Sequence, residues 1–294
     1  MTLVNSVFFI SDFINLNFTL NGASKMPVQD GMGYSEFTNK KHEDFQTLLA
    51  VQMKVVKNIF NKYAYLENCY LYFDINPGDG SETGKSPVIA VDLLRGLQLP
   101  YTAIFTEREQ SNAKKLSQHF GNDNNVIVEQ GDHNTIIPRY IERPPACDSK
   151  GTTSYVYGSL YADPSGTEPP WELLQQFANQ YPRIDLIVYL SATNYKRIRG
   201  EARTRGIQVP NLQDRIKDIA KKNWIIREPE GMHQWTFLIG TNWQSYPDYK
   251  RLGFVKLESK RGKAVFEKLV YTEREQHDRR QLSLGLNFGD DNNE

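Results

Sequence analysis

The chain has 294 residues, 39% apolar and 12% aromatic, which suits one large α/β domain or a domain with a substantial insertion. Lys plus Arg and Asp plus Glu both number 35, so there is no net charge; this argues against a histone-like or strongly basic non-specific binder, though not against a local basic patch. Two cysteines, Cys69 and Cys147, are too few for a disulfide framework or a four-Cys zinc site, and no stretch reaches the roughly 20 apolar residues a membrane span needs.

Residues 1–20 read as extended structure. Leu3 to Leu20 is apolar but holds Asp12, several Asn and no basic start, so it does not read as a signal peptide, and a soluble, cytoplasmic protein is expected. Residues 21–40, rich in Gly, Ser, Asn and Asp, predict a long loop. From His42 to Tyr63 the apolar positions Phe45, Leu48, Leu49, Met53, Val56 and Ile59 keep close to the helical period. Cys69 reads as core.

Tyr70–Phe73 is a short apolar run ending in Asp74-Ile75-Asn76-Pro77-Gly78-Asp79-Gly80, the pattern of a buried strand running into a tight glycine turn. Pro87 then opens a helix through Val88, Ile89, Val91, Leu93 and Leu94. Residues 101–107 predict a second strand, Asn112–Phe120 a helix, Asn125–Glu129 a third strand, Ser154–Asp163 a fourth, Trp171–Tyr181 a helix and Ile184–Leu190 a fifth strand. This alternation implies a doubly wound, mostly parallel α/β sheet. Beyond it, residues 211–222 look helical, Trp235–Gly240 is a strong strand and 262–280 a charged helix. The expected organisation is an N-terminal extension over 1–41, the α/β domain over 42–284 with 195–260 as a substrate or partner subregion, and a disordered polar tail over 285–294.

Doubly wound sheets bind ligands beyond the carboxyl ends of their strands. Asp74, Asn76, Gly78 and Gly80 follow the first strand, where small residues let a backbone approach a ligand. Glu107 ends the second strand, and an ionised carboxylate there can accept both hydroxyls of a ribose. Asp132 follows the third, placed to accept from an adenine amino group. Each of these alone also fits a plain turn or a solvated loop; the ordered set points to an adenosine ligand with no phosphate to repel. The Gly-x-Gly-x-x-Gly signature of a dinucleotide site is absent, since Gly80 is followed by Thr83 and then Gly84, and there is no Walker A pattern.

The strand, the Asp-x-x-Pro-Gly-x-Gly turn and the following Gly84-Lys85-Ser86-Pro87-Val88-Ile89-Ala90 resemble the three-Cys-motif partner proteins of bacteria, relatives of class I methyltransferases. Asp163-Pro164-Ser165-Gly166 is similar to that family's Asp-Pro-aromatic-Gly, and the resemblance spans about residues 42–195. It implies a Rossmann-like methyltransferase fold and S-adenosyl-L-methionine as cofactor. In amino-group methyltransferases the loop after the fourth strand positions the target amine, so the resemblance makes Asp163 and Pro164 the candidate catalytic pair. Ser165-Gly166 stands where a stacking ring is the rule; Tyr161, Trp171 or Tyr195 are the rings that could replace it.

After the fifth strand, Asn194 and Tyr195 would lie at the same sheet edge, to contact substrate or to cap the next helix. Lys196, Arg197, Arg199, Arg203 and Arg205, with Arg215 and Lys217, could track a phosphate backbone or form a solvated face. Aromatics at 235–246 could stack on bases or pack a subdomain. The five histidines show no metal spacing. The leading expectation is a methyltransferase acting on nucleic acid, DNA or RNA, at an exocyclic amine. A catalytically inactive nucleotide- or protein-partner-binding module is the first alternative, and another nucleotide enzyme on the same fold the second.

Overall fold

In the computed structural model, which describes residues 36–64, 68–80, 84–143, 145, 156–164, 167–206, 212–229, 235–244, 246, 248–271, 274–278 and 281, the five apolar runs become five parallel strands. They are β1 (Tyr70–Asp74), β2 (Tyr101–Glu107), β3 (Val126–Gln130), β4 (Tyr157–Ala162) and β5 (Ile184–Ser191). Helices α1 (Glu36–Lys62), α2 (Ser86–Gly96), α3 (Gln110–Phe120), α4 (His133–Glu142), α5 (Trp171–Gln180) and α6 (Ala192–Thr204) precede, join or follow them. The chain continues through α7 (Leu212–Lys217), β6 (Asn223–Arg227), β7 (Trp235–Thr241), β8 (Phe254–Lys256) and α8 (Lys260–Val270).

The eight-stranded sheet runs β3-β2-β1-β4-β5-β7-β6-β8. β7 is antiparallel to both β5 and β6, and β8 is antiparallel to β6. Every residue of β1 is buried, as a strand with helices on both faces must be. One face packs Phe45, Leu49 and Met53 of α1 and Val91 and Leu94 of α2 against Tyr70, Tyr72 and Phe105. The other packs Leu174 and Phe177 of α5 and Phe266 of α8 against Leu71, Phe73 and Leu186. No described helix is long and apolar enough to cross a membrane.

Several boundaries differ from the sequence reading. α1 begins at Glu36, ahead of His42 and inside the loop expected to reach residue 40; apart from Phe37 its first residues are polar, so the helical apolar period starts only at Phe45. The expected 211–222 helix stops at Lys217 and gives way to β6, whose Trp224–Arg227 are buried between neighbours. The 262–280 helix is interrupted: α8 ends at Val270, where Tyr271 turns extended (φ −109°, ψ 142°), and residues 274–278 are helical again. α4 was not expected; Asp132 caps it although Pro138 lies inside it. The regions 1–20 and 285–294 lie outside the described residues.

β1 pairs on one side with β2 and on the other with β4, so the winding reverses between β1 and β4. That pair therefore frames the crevice where an open α/β sheet takes its ligand. The close pairing depends on Gly158, which sits opposite Leu71: a Cβ there would come 1.8 Å from the Leu71 carbonyl oxygen. Because the obstacle is backbone in a central strand, Gly158→Ala is expected to cost more than about 3 kcal/mol, read as a lower midpoint in chemical denaturation.

Candidate active site

β1 delivers Asp74 to the switch point, fully buried. Its Oδ1 accepts the Asn76 N–H (3.2 Å), and its Oδ2 accepts the hydroxyl of Ser86, the first residue of α2 (2.7 Å). Burial pushes the Asp74 carboxyl up to about 7; the bonds from Ser86 and Asn76 pull against this, and the charges of Asp163 and Glu107 add to it. Gly78 (φ +63°) and Gly80 (φ +30°) turn the chain here. A Cβ on Gly80 would strike Pro87 at 2.6 Å, whereas one on Gly78 would meet nothing within 4 Å, so the turn is packed on one side and open on the other.

Glu107, at the end of β2, is also buried. Its Oε1 accepts the Glu109 N–H (2.7 Å), and the N–H groups of Gly78 and Arg108 also turn to the carboxylate. Burial nevertheless holds its pKa above the ordinary range, because desolvation outweighs those bonds. Two buried side-chain oxygens, Oδ1 of Asn76 and Oγ1 of Thr106, have no hydrogen-bond partner among the described residues; Thr106 stands on the opposite face of β2 from Glu107. Asp132 is exposed, and its Oδ1 accepts the Asn134 N–H (2.7 Å) as the N-cap of α4. His133 contributes its ring, which donates to the Ile75 carbonyl; burial lowers its pKa.

Across the switch point, Asp163 follows β4 and Pro164 is buried behind it. Asp163 Oδ2 accepts the Lys41 ammonium (2.7 Å) and the Tyr161 hydroxyl (3.1 Å). The same ammonium lies 4.7 Å from the centre of the Tyr189 ring. Beside it, His42 is held neutral: burial, then the charges of Lys41 and Lys85, lower its pKa to about 4. Ser165 and Gly166 lie outside the described residues. None of the three candidate replacement rings faces the cleft as a free surface: Tyr161, Trp171 and Tyr195 are all buried.

The structure does not gather the substrate-binding candidates of α6 into a phosphate track. Ser191 caps the helix, accepting the Asn194 N–H (3.4 Å), and Tyr195 packs in the core. Arg197 pairs with Glu201 (2.8 Å). Arg199 lies 3.7 Å and Arg203 3.1 Å from Glu275, and Arg199 also covers the Tyr271 ring. Arg215 bridges Glu168 and Glu172, and Lys217 pairs with Asp214. Trp235 and Tyr246 are buried, so of the two readings of these aromatics the structure supports packing and not stacking on bases. Of the run, Lys196 is half-buried and Arg205 exposed. A duplex oligonucleotide is therefore expected to bind with shallow salt dependence, roughly two phosphates' worth between about 50 and 200 mM salt by fluorescence anisotropy.

Lys41, Ser86 and Tyr189 join the site without having been singled out as site residues in the sequence. Ser86 precedes a helix-starting proline, which is the one local signal; Lys41 meets Asp163 across 122 residues and leaves none. The acids do not form a metal cage: no described group of three His, Cys, Asp or Glu side chains could hold an ion.

No family model and no curated protein matches the chain, so the similarity to three-Cys-motif partners rests on the motifs alone. Among solved structures, the chain is similar to protein LPL1258 of Legionella pneumophila, a DUF519 protein, at 14% identity and a TM-score of 0.48, over 75% of this chain and 90% of that one. It is also similar to the METTL16 MTase domain at 13% identity and a TM-score of 0.34, over 60% and 61% of the two chains. A third is the CurJ carbon methyltransferase, at 16% identity and a TM-score of 0.40, over 67% and 54%. The architecture itself is the one read from the sequence, a doubly wound, mostly parallel Rossmann-like sheet, here with β7 reversed between β5 and β6 and β8 added at the edge.

Proposed function

We propose that the chain is an S-adenosyl-L-methionine-dependent methyltransferase, with the cofactor at the carboxyl ends of β1 and β2. The observation that carries this reading is the pair of buried carboxylates, Asp74 and Glu107, at the carboxyl ends of the adjacent strands β1 and β2. Asp74 is fully buried and raised to about 7, and the charges that act on it come from two further acids, Asp163 and Glu107. Such a site favours a cationic ligand and repels a dinucleotide's diphosphate. The sulfonium and ammonium of S-adenosylmethionine supply the cation, and the ribose hydroxyls would share the Glu107 carboxylate. The open side of the Gly78 turn leaves room for close backbone approach, and the lone Asn76 oxygen offers a further polar contact.

When bound, the cofactor supplies an electrophilic methyl group. The protein's part is to hold and align: Asp74 and Glu107 fix one reactant, and Asp163 accepts an N–H of the other so that its nitrogen faces the crevice. An acceptor amine of nucleic acid remains the sequence-based proposal for the substrate; the pairing of Arg197, Arg199 and Arg203 with Glu201 and Glu275 takes away much of its electrostatic support.

One observation favours the second reading, an inactive module: the Lys41 ammonium already occupies Asp163. Incorporation of labelled methyl groups into DNA, RNA and protein pools decides between them. The enzyme reading expects incorporation that Asp163→Ala abolishes; incorporation into none of the pools, or none that depends on Asp163, leaves the binding module.

A further inference from the structure

The corner formed by Asp163, Tyr161 and Tyr189 is a small ammonium site, and the chain fills it with its own lysine. The Lys41 Nζ stands 2.7 Å from Asp163 Oδ2 and 4.7 Å from the Tyr189 ring centre, while the Tyr161 hydroxyl donates to the same Oδ2. Both partners of the pair are largely sheltered, with side-chain exposures of 17% and 18%. A sheltered carboxylate beside an aromatic face is the chemistry that holds a cation carrying N–H donors.

An acceptor that is to meet Asp163 must displace Lys41. If it is neutral, as the exocyclic amine of a nucleobase is, Asp163 is left uncompensated in a sheltered position that already feels the Asp74 charge. Separating a sheltered ion pair without replacing the lost charge is strongly unfavourable. If the acceptor is an alkylammonium, one cation replaces another and the charge balance at Asp163 is unchanged. His42, beside Asp163, is neutral near pH 7 and does not make up the difference.

We propose that the subsite at Asp163, Tyr161 and Tyr189 selects a primary alkylammonium group, with Lys41 as the internal occupant that such a substrate displaces. This rests on the methyltransferase reading only in calling the ligand a substrate, whose nitrogen would first have to release a proton to solvent to free the lone pair that accepts a methyl group; the site itself stands on the Asp163 geometry. The shared chemistry is that of a lysine side chain and of a polyamine.

The test is titration calorimetry of the full chain with a short peptide carrying one lysine, the same peptide Nζ-acetylated, spermidine, and a single-stranded oligonucleotide. The lysine peptide or spermidine should bind, whichever source is the right one, and the acetylated peptide should not. Lys41→Met, which keeps the apolar stem, should tighten the ammonium probe at least about tenfold. Asp163→Asn placed on Lys41→Met should return it to the parent level or weaker. Binding of the oligonucleotide in preference to both ammonium probes overturns the proposal, as does equal binding of the acetylated peptide or an ammonium affinity indifferent to both substitutions. A parallel titration with S-adenosylhomocysteine keeps the two claims apart. If the adenosyl ligand binds and no ammonium probe does, this proposal alone falls; if the ammonium probe binds and the adenosyl ligand does not, the cofactor reading alone falls.

Discussion

Glu107→Ala is expected to lower the affinity for S-adenosylmethionine at least about a hundredfold in titration calorimetry, since each hydrogen bond to a charged group contributes about 1.5–3 kcal/mol and a ribose presents two hydroxyls. Asp132→Ala provides the internal contrast. Asp132 is exposed and spends Oδ1 on capping α4, so its loss should cost about 1 kcal/mol of stability and no more than about tenfold in affinity. If the two variants lose affinity equally, the ligand does not sit between the ends of β1 and β2 as described.

Asp74→Asn is expected to make the protein more stable at pH 8 and a poorer binder. The Asp74 carboxyl has a folded-state pKa of about 7 against an ordinary value of 3.8. Between those values the native state holds a proton that the unfolded chain has released, so stability is greatest below about pH 4 and falls as pH rises towards 7. At roughly 1.4 kcal/mol per pH unit the whole effect is on the order of 4 kcal/mol. Asp185, raised by burial to about 6, pulls in the same direction over the lower part of this range, so the parent's pH dependence contains both groups. Subtracting the Asp74→Asn profile isolates Asp74. A cationic ligand prefers the ionised carboxyl, so parent affinity should rise from pH 6 to pH 8, and the variant should lose that rise. Denaturation midpoints and calorimetry across the same pH range read both effects. A variant that is less stable at pH 8, with ligand affinity unchanged, would assign Asp74 to a structural role.

The part of the site that belongs to single strands was legible in the sequence. Asp74 and Glu107 each close a run of apolar residues, and a strand that must be buried on both faces has few reasons to end in a carboxylate at its carboxyl edge. The glycines of the β1 turn were legible for the same reason, since Gly78 and Gly80 adopt positive φ where other residues are strained. What could not be read is what depends on distant segments meeting. Lys41 reaches Asp163 from α1, and Arg199 and Arg203 reach Glu275 across the α6–α8 side, so a basic run that looked available on paper is paired in space. Residue type alone also left stacking and packing open for the aromatics: Tyr195, Trp235 and Tyr246 suit stacking on bases, yet all three are packed in the core. α4 and β6 escaped notice because a proline lies inside the first and polar residues flank the second.

The central claim, an adenosyl cation held at the acidic switch point, is tested most directly by mass spectrometry under native conditions of the purified full chain, before and after addition of S-adenosylmethionine, NAD and ATP in turn. The expected result is a one-to-one complex with S-adenosylmethionine or its demethylated product, weakened by Glu107→Ala, and no comparable complex with the two phosphate-bearing ligands. Retention of the dinucleotide or the triphosphate in preference to the sulfonium ligand would contradict it.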